Sequence, residues 1–236
     1  MNTYTGRKRV KAAFKREYAD VVPAYPILGQ FTSQLIGISI KEFLTDKDKL
    51  AKAEIAAYER YRPDIIVVMA NLLMEAEAMG NELKFPDDGM CISKKMALED
   101  KGKLNSLSVP DPYKDGHLPD YLEACRMIKD AITDSSVGAV IAGPWTIAIA
   151  LRGASELIRD AIKDPAYVHE LMEFTTEVAI RFGFAIRSTG AGMSYSEAPA
   201  STSLISPKMY REFVFPYHKK AIGRLKEEGI SCTLHI

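Results

Sequence analysis

Short apolar runs rich in β-branched residues alternate with longer amphipathic stretches along this chain, and this alternation is the strongest constraint on its fold. Continuous apolar runs lie at 64–70, 137–143 and 231–236, and a further strand candidate lies at 191–194. Such runs are typical of strands buried on both faces, as in a parallel sheet covered by helices. Repeated strand–helix units in one direction predict an α/β fold with right-handed crossovers.

The helices between these runs are marked by capping residues. Asp164-Pro165 and Ser206-Pro207 each combine a side-chain acceptor with a proline at the first helical position, where a missing N–H costs nothing. Lys47–Tyr61 reads as a long helix. A further strand candidate at 21–28 is weaker, because Pro23 and Pro26 cannot donate to a β ladder.

The charge balance argues against nucleic acid as a partner. The chain carries 31 Lys and Arg against 31 Asp and Glu, a formal net charge of zero, whereas phosphate binding needs a clustered excess of positive charge. The N-terminal basic run contains apolar residues at helical spacing, so it predicts a solvated amphipathic helix that packs through Val10, Ala13, Phe14 and Tyr18.

Three cysteines, Cys91, Cys125 and Cys232, are odd in number and have no short paired spacing. We interpret them as reduced thiols, which predicts a cytoplasmic protein and not a disulfide framework. The sequence has no secretory signal pattern, and no apolar run reaches the ~20 residues that a bilayer requires, so we expect no membrane association.

Residues 84–119 depart from the strand–helix alternation. Proline, glycine, aspartate and asparagine are frequent here, which predicts a long excursion with little regular structure. Excursions of this length within compact domains tend to be functional lids or insertions. The alternation resumes afterwards, so we expect one domain over 1–236.

Three sequence strings together carry a family resemblance. They are Met74-Glu75-Ala76-Glu77-Ala78-Met79-Gly80, then Gly143-Pro144-Trp145-Thr146, then the segment from Leu204 to Phe213 that leads into Phe215-Pro216-Tyr217. In this order and spacing the chain resembles the uroporphyrinogen decarboxylase superfamily over nearly its whole length. The resemblance implies a TIM (β/α)8-type barrel that is incomplete, because only the first five or six of its strand–helix units are accounted for.

Two branches of that superfamily differ in the charges of their sites. The decarboxylases have an arginine-rich motif, RQAGRY, near the N terminus, where cations hold the carboxylates of the substrate, and an Asp near the end of the second strand candidate. Here residues 27–34 carry no cation, and Ala70-Asn71 occupies the position of the Asp. A neutral loop cannot replace guanidinium groups that bind carboxylates, and Asn cannot stabilise a protonated pyrrole.

The other branch comprises corrinoid-dependent methyltransferases of the methylcobamide:coenzyme M type. This chain matches their EAEA phrase at 75–80, and Leu234-His235-Ile236 matches the start of their Leu-His-Ile-Cys-Gly motif. In that family the His and two Cys residues bind zinc, and a separate carrier protein supplies the corrinoid. The resemblance therefore implies zinc-dependent methyl transfer between a corrinoid and a small thiol or methyl donor, with His235 as the one zinc ligand present.

Five further residues are candidates for the site. Glu197 follows the strand candidate at 191–194. Glu75 and Glu77 are two apart and cannot share a helix face, so at most one of them faces the site, and Glu77 is the one preferred. Glu197 and Glu77 are predicted to be catalytic. The substrate-binding candidates are Gln30, Asn71 and Trp145. The structural alternatives are a solvated loop carboxylate for Glu197, core packing for Trp145 and a core or capping role for His235. Of the other histidines, His117, His169 and His218 show no ligand spacing to one another and are expected at the surface or partly packed.

A barrel that ends at Ile236 should expose an unpaired apolar sheet edge around 232–236, which favours self-association or a complementing chain. Three explanations stay open: a shortened form, a natural fragment completed by another chain, or a UGA codon read as stop where selenocysteine could be inserted. Two alternative functions also stay open, namely tetrapyrrole decarboxylation and an inactive or split fragment.

Overall fold

A computed structural model describes residues 4–236. The strands are β1 (Ile65–Val68), β2 (Glu82–Lys84), β3 (Ile92–Lys95), β4 (Ser136–Ala142), β5 (Gly192–Ser196) and β6 (Cys232–His235). The helices are α1 (Gly6–Lys15), α2 (Ile40–Thr45), α3 (Lys47–Tyr61), α4 (Met74–Ala78), α5 (Leu118–Ala131), α6 (Pro144–Arg152), α7 (Ala154–Lys163), α8 (Pro165–Arg187), α9 (Pro207–Met209) and α10 (Phe215–Glu227). Short 3₁₀ turns lie at Gly29–Ile36, Lys101–Ser106 and Ala198–Ala200, and a π turn at Tyr210–Val214 joins α9 to α10.

Within the described residues the main sheet has four parallel strands in the order β1-β4-β5-β6. The predicted α/β architecture is confirmed, and so are the strands expected at 64–70, 137–143, 191–194 and 231–236. Strand β4 is buried along nearly its whole length, as expected for a sheet covered on both faces. Strand β6 ends the sheet and pairs only with β5, so the barrel is open at this edge.

The strand expected at 21–28 does not form. This segment is extended and contacts the start of β1, where the Asp64 amide donates to the Ala24 carbonyl (3.1 Å) and the Ala24 amide donates to the Asp64 carboxylate (2.6 Å). The two prolines in the segment remove the donors that a continuous ladder would need.

The helix predictions hold where capping residues support them. Helix α3 spans Lys47–Tyr61 as predicted, and the Asp46 side chain accepts from two amides of its first turn. Asp164 and Ser206 cap α8 and α9. Helix α1 forms, but the packing face expected for it is wrong in part: Phe14 and Tyr18 are 70% and 98% exposed, while Ala12 is buried.

The excursion at 84–119 has more regular structure than predicted. Strand β3 pairs antiparallel with β2, and a 3₁₀ turn follows at Lys101–Ser106. Buried Asn81 joins the hairpin to the rest of the fold: its amide group donates to the Ser93 hydroxyl (3.1 Å) and to the Ala150 carbonyl (2.8 Å). The excursion is therefore fixed against α6.

No helix within residues 4–236 is both long enough and apolar enough to cross a membrane. The thiols of Cys91, Cys125 and Cys232 are free, as predicted.

Candidate functional site at the strand ends

The carboxyl ends of the four parallel strands gather most of the predicted site residues at one edge of the sheet. Asn71 follows β1, Trp145 follows β4, Glu197 follows β5 directly, and His235 is the last residue of β6. Barrel enzymes hold their reacting groups at this edge. These four residues lie at or just after the carboxyl ends of neighbouring parallel strands, and their roles in the site stay predictions.

Glu197 is fully buried and accepts hydrogen bonds through both carboxylate oxygens. Oε1 accepts from the Trp145 amide (2.9 Å), and Oε2 accepts from the Thr146 amide (2.9 Å) and the Thr146 hydroxyl (2.8 Å). These amides form the N-terminus of α6, where the partial positive charge of the helix favours an anion. Glu197 is thus neither a solvated loop carboxylate nor a group open to bulk solvent.

Gly143 leaves the space that this carboxylate fills. A Cβ atom at Gly143 would lie 2.3 Å from Glu197 Oε1 and 2.5 Å from its Cδ, far inside van der Waals contact. The close approach of the β4 exit to Glu197 therefore requires glycine at this position.

His218 contacts Glu197 from α10, although the two residues are 21 positions apart. His218 is 3% exposed, and its Nε2 lies 3.0 Å from Glu197 Oε1. Its Nδ1 lies 3.4 Å from the hydroxyl of half-buried Tyr210. The surface or partly packed position expected for His218 is therefore wrong, because α10 packs this ring directly against the end of β5.

His235 is exposed at the end of the open strand. Its carbonyl accepts from the Glu197 amide at 2.7 Å, and in the strand register it lies opposite Ser196. Between residues 4 and 236 there is no group of three or more His, Cys, Asp or Glu side chains arranged to hold a metal ion. The His235 imidazole by itself does not make a zinc site.

Trp145 is completely buried, and its indole Nε1 has no hydrogen-bond partner in the described part of the chain. Trp145 therefore packs in the core, which was the structural alternative for this residue, and its contact with a ligand stays a prediction. Asn71 is also buried, and its side-chain oxygen accepts from the Leu73 amide at 2.8 Å. Gln30 lies half-buried in the 3₁₀ turn at Gly29–Ile36.

Glu77 and Glu75 diverge, as their spacing in α4 predicts. Glu77 pairs with His117 Nδ1 at 2.7 and 2.9 Å, and this hydrogen bond raises the pKa of His117. Glu75 is buried against the end of β4, where its Oε1 accepts from the Ala142 amide (2.9 Å). Burial raises the pKa of Glu75 to about 7.

Sequence reasoning missed Tyr210, His218 and Thr146 as partners of Glu197, and His117 as the partner of Glu77. No spacing rule connects a loop carboxylate with a histidine two elements further on, so only the packing of α10 brings the two together. The Ser206-Pro207 start of the α9–α10 region predicts a helix there, but not the face that it buries.

The fold and the strand-end site define a barrel-type α/β protein with its candidate functional residues at the carboxyl edge of the sheet. The family whose description reads "Uroporphyrinogen decarboxylase (URO-D)" matches residues 5–236, and the chain belongs to this family. The resemblance inferred from the three sequence strings is thereby confirmed.

The relatives include enzymes of two kinds. The methylcobamide:CoM methyltransferase MtaA of Methanosarcina barkeri is 26% identical over 220 residues, covering 91% of this chain and 65% of the relative. A methylated-thiol–coenzyme M methyltransferase of Methanosarcina mazei is 28% identical over 244 residues, covering 98% of this chain and 63% of the relative. A uroporphyrinogen decarboxylase of Xylella fastidiosa is 30% identical over 179 residues, covering 72% of this chain and 49% of the relative.

A solved structure of a methyltransferase from Methanosarcina mazei superposes with a TM-score of 0.88 at 24% identity, covering 99% of this chain and 70% of that chain. At this identity the match shows the fold. The chain spans 63–65% of the length of the two methyltransferases compared by sequence.

Proposed function

We propose that this chain acts in methyl transfer between a corrinoid, carried by a separate protein, and a small thiol or methyl donor. The observation that carries the proposal is the exposed His235 imidazole at the carboxyl end of β6. This is the edge where barrel enzymes bind their substrates, and the methyltransferase branch has a metal-binding histidine in the matching motif. The similarity to two coenzyme M methyltransferases supports the same reaction class.

Zinc is the proposed cofactor. Its binding requires further ligands, in addition to His235, that the described residues do not supply. The described residues do not fit zinc by themselves, because no three His, Cys, Asp or Glu side chains among residues 4–236 are arranged to hold a metal ion. We therefore derive no reaction step through the metal. Glu197 has a positioning role: its amide donates to the His235 carbonyl, and its carboxylate accepts from the start of α6.

A decarboxylase acting on a tetrapyrrole is the second candidate, favoured by the 30% identity with the Xylella enzyme. Two positions argue against it. Residues 27–34 carry no cation where the decarboxylase motif has arginines, and Asn71 stands where that family has an aspartate. This part of the chain therefore lacks the charges that bind carboxylates and stabilise a protonated pyrrole.

The test of the proposed function uses this chain together with the protein segment that supplies the further metal ligands. Methylcobalamin, coenzyme M and zinc are added, and the loss of the methyl–cobalt absorbance is followed. We expect methyl transfer in the wild type, loss of transfer in His235→Ala, and retention in His169→Ala, which removes an imidazole that contacts Tyr217 elsewhere.

Conversion of uroporphyrinogen to coproporphyrinogen by the same preparation would support the decarboxylase instead. Absence of both activities from a folded preparation would support the inactive or split-fragment alternative. In that case native mass spectrometry of the purified native complex distinguishes a lone chain from one bound to a second polypeptide.

A further inference from the structure

We propose that Tyr210, His218 and Glu197 form a proton relay at the carboxyl edge of the sheet, in which the Tyr210 hydroxyl accepts the proton of a small thiol. The inference rests on the proposed function, because a thiol that receives a methyl group must lose its proton. Tyr210 is the group that would touch the substrate, and His218 and Glu197 are positioning residues.

The three side chains form a line from the buried end of β5 to the half-buried start of the π turn that precedes α10. Glu197 Oε1 lies 3.0 Å from His218 Nε2, and His218 Nδ1 lies 3.4 Å from the Tyr210 hydroxyl. Exposure rises along the line, from a fully buried carboxylate through a ring that is 3% exposed to a half-buried phenol. Only the outermost member can meet a substrate.

The hydrogen-bond roles follow from the chemistry of the buried end. The Glu197 carboxylate accepts from two amides and a hydroxyl of α6, so it is held as an acceptor. His218 Nε2 must then be the protonated nitrogen that donates to it, which leaves the Nδ1 lone pair to accept from the Tyr210 O–H. The 3.4 Å separation is long for a hydrogen bond, as is common for catalytic contacts before substrate binds.

The Tyr210 phenol stays protonated, as the relay requires. Burial, together with the negative charge of Glu197, raises the pKa of Tyr210. The hydroxyl therefore keeps its proton and donates it towards His218, while its oxygen lone pairs stay free to accept from a ligand.

The π turn sets the position of the phenol. Tyr210 begins the turn at Tyr210–Val214, and its ring meets His218 edge-on, with centroids 5.9 Å apart and an interplanar angle of 65°. Phe215 supports the ring from the next turn, at 6.3 Å between centroids. Single π turns inside α-helices occur frequently at functional sites.

The step is balanced as follows. The S–H bond of the thiol breaks, its proton binds the Tyr210 oxygen, and the proton of Tyr210 moves to His218 Nδ1. The sulfur keeps the electron pair as a thiolate, and Glu197 stabilises the imidazolium that forms. The proton returns to solvent when His218 reprotonates Tyr210 and the phenol gives up its extra proton. No oxidant or reductant is required.

The buried end of the relay lies beside β6. The Glu197 carboxylate ends the relay, while the Glu197 amide donates to the His235 carbonyl at 2.7 Å. The relay and His235 therefore both lie at the carboxyl ends of the parallel strands.

The first experiment compares two thiols as methyl acceptors in wild type and Tyr210→Phe at pH 7. An alkanethiol such as 2-mercaptoethanol is protonated at this pH, whereas an acidic aromatic thiol such as 2-nitro-5-thiobenzoate is already ionised. Removing a general base typically costs about 100-fold or more in rate. We expect such a loss of kcat with the alkanethiol, recovery at higher pH, and little change with the ionised thiol.

Tyr113→Phe is the matched control, because this exposed tyrosine also makes a 3.4 Å hydroxyl contact, to Ser188, but lies in the excursion. An equal loss with both thiols in Tyr210→Phe would overturn the relay. Failure of the wild type to methylate either thiol would instead overturn the proposed function.

The second experiment does not depend on activity. Nitrogen-15 NMR of the His218 ring reports which nitrogen carries the proton. We expect a protonated Nε2 in the wild type, together with an Nδ1 resonance that shifts in Tyr210→Phe and stays unchanged in Tyr113→Phe. A ring protonated at Nδ1, or an Nδ1 resonance insensitive to Tyr210→Phe, would rule out the proposed direction of the relay.

Discussion

Gly143 shows how closely one residue is fitted to the candidate site. Replacing it with alanine would drive a methyl group into the Glu197 carboxylate, 2.3 Å from Oε1. Overpacking of this kind costs about 1–3 kcal/mol or more. We expect Gly143→Ala to lower the free energy of unfolding by that amount in urea denaturation.

The control for this substitution is Gly223→Ala in α10, where a Cβ would meet no atom within 4 Å. Alanine is favoured over glycine by about 1 kcal/mol in a helix interior, so this variant should be as stable as the wild type or more stable. Equal stability of the two variants would mean that the Gly143 approach is not as tight as described.

Glu54 is a buried carboxyl on α3 that sequence patterns did not single out. It is 2% exposed, and its Oε1 has no hydrogen-bond partner among residues 4–236. Burial raises its pKa from an ordinary 4.5 to about 8. The folded protein therefore holds a proton that the unfolded chain releases near pH 4.5.

The sign of the resulting pH dependence follows from this difference. The stabilising contribution is complete below about pH 4.5 and is lost as the pH rises towards 8, at about 1.4 kcal/mol per pH unit for one such group. We expect Glu54→Gln to reduce the loss of stability between about pH 4.5 and pH 8. The substitution should therefore raise the melting temperature at pH 8 more than at pH 5. Glu59→Gln, on the exposed side of the same helix, should change neither value. A melting temperature that responds equally at both pH values would contradict the assignment.

At the scale of elements, Arg152 fixes the excursion to the helical layer. Its side chain is 9% exposed, donates to the Leu98 and Glu99 carbonyls (2.9 and 2.8 Å), and pairs with Asp160 at 2.8 Å. Breaking a buried ion pair by removing one partner costs about 3 kcal/mol or more.

We expect Arg152→Ala to speed amide hydrogen exchange across 96–106 and to lower the free energy of unfolding. Arg159→Ala removes an exposed pair with Glu156 on the neighbouring turn and should leave exchange in the excursion unchanged. Unchanged exchange at 96–106 in Arg152→Ala would show that other contacts hold this segment.

The sequence predicted correctly those helices whose first residues include a capping side chain. Helix α3 follows its Asp46 cap, and α8 follows Asp164-Pro165. The sequence did not predict the β2–β3 hairpin, because its short strands are largely polar and exposed and their pairing depends on contacts such as those of Asn81. The strand predicted at 21–28 was wrong for a different reason. This segment is apolar, but its two prolines lack the N–H donors that a β ladder needs.

At the scale of the whole molecule, β6 is the last strand of the sheet and pairs only with β5 among residues 4–236. Thr233 and His235 are exposed along this strand, and Cys232 and Leu234 are half-buried. An unpaired edge of this kind templates pairing with another chain. We propose self-association or a complementing chain at this edge.

We expect the chain to show concentration-dependent association in analytical ultracentrifugation, and Thr233→Lys to weaken it, because charge on an edge strand opposes pairing. Thr202→Lys, at an exposed position in the loop after β5, makes the same change of charge away from the edge. Equal association of the two variants would place the contact elsewhere.

The sequence by itself determined the α/β class, the parallel strands, the capped helices and the family, because apolar periodicity and capping are local signals and the family strings are contiguous. It also located the strand-end residues, since strand order puts their carboxyl ends together. Only the tertiary structure decided that Glu197 is buried against α6 and His218, and that Glu77 meets His117. Those contacts join residues far apart in the chain. The packing of helices on the sheet decides which charged groups are buried and which side chains pair with them.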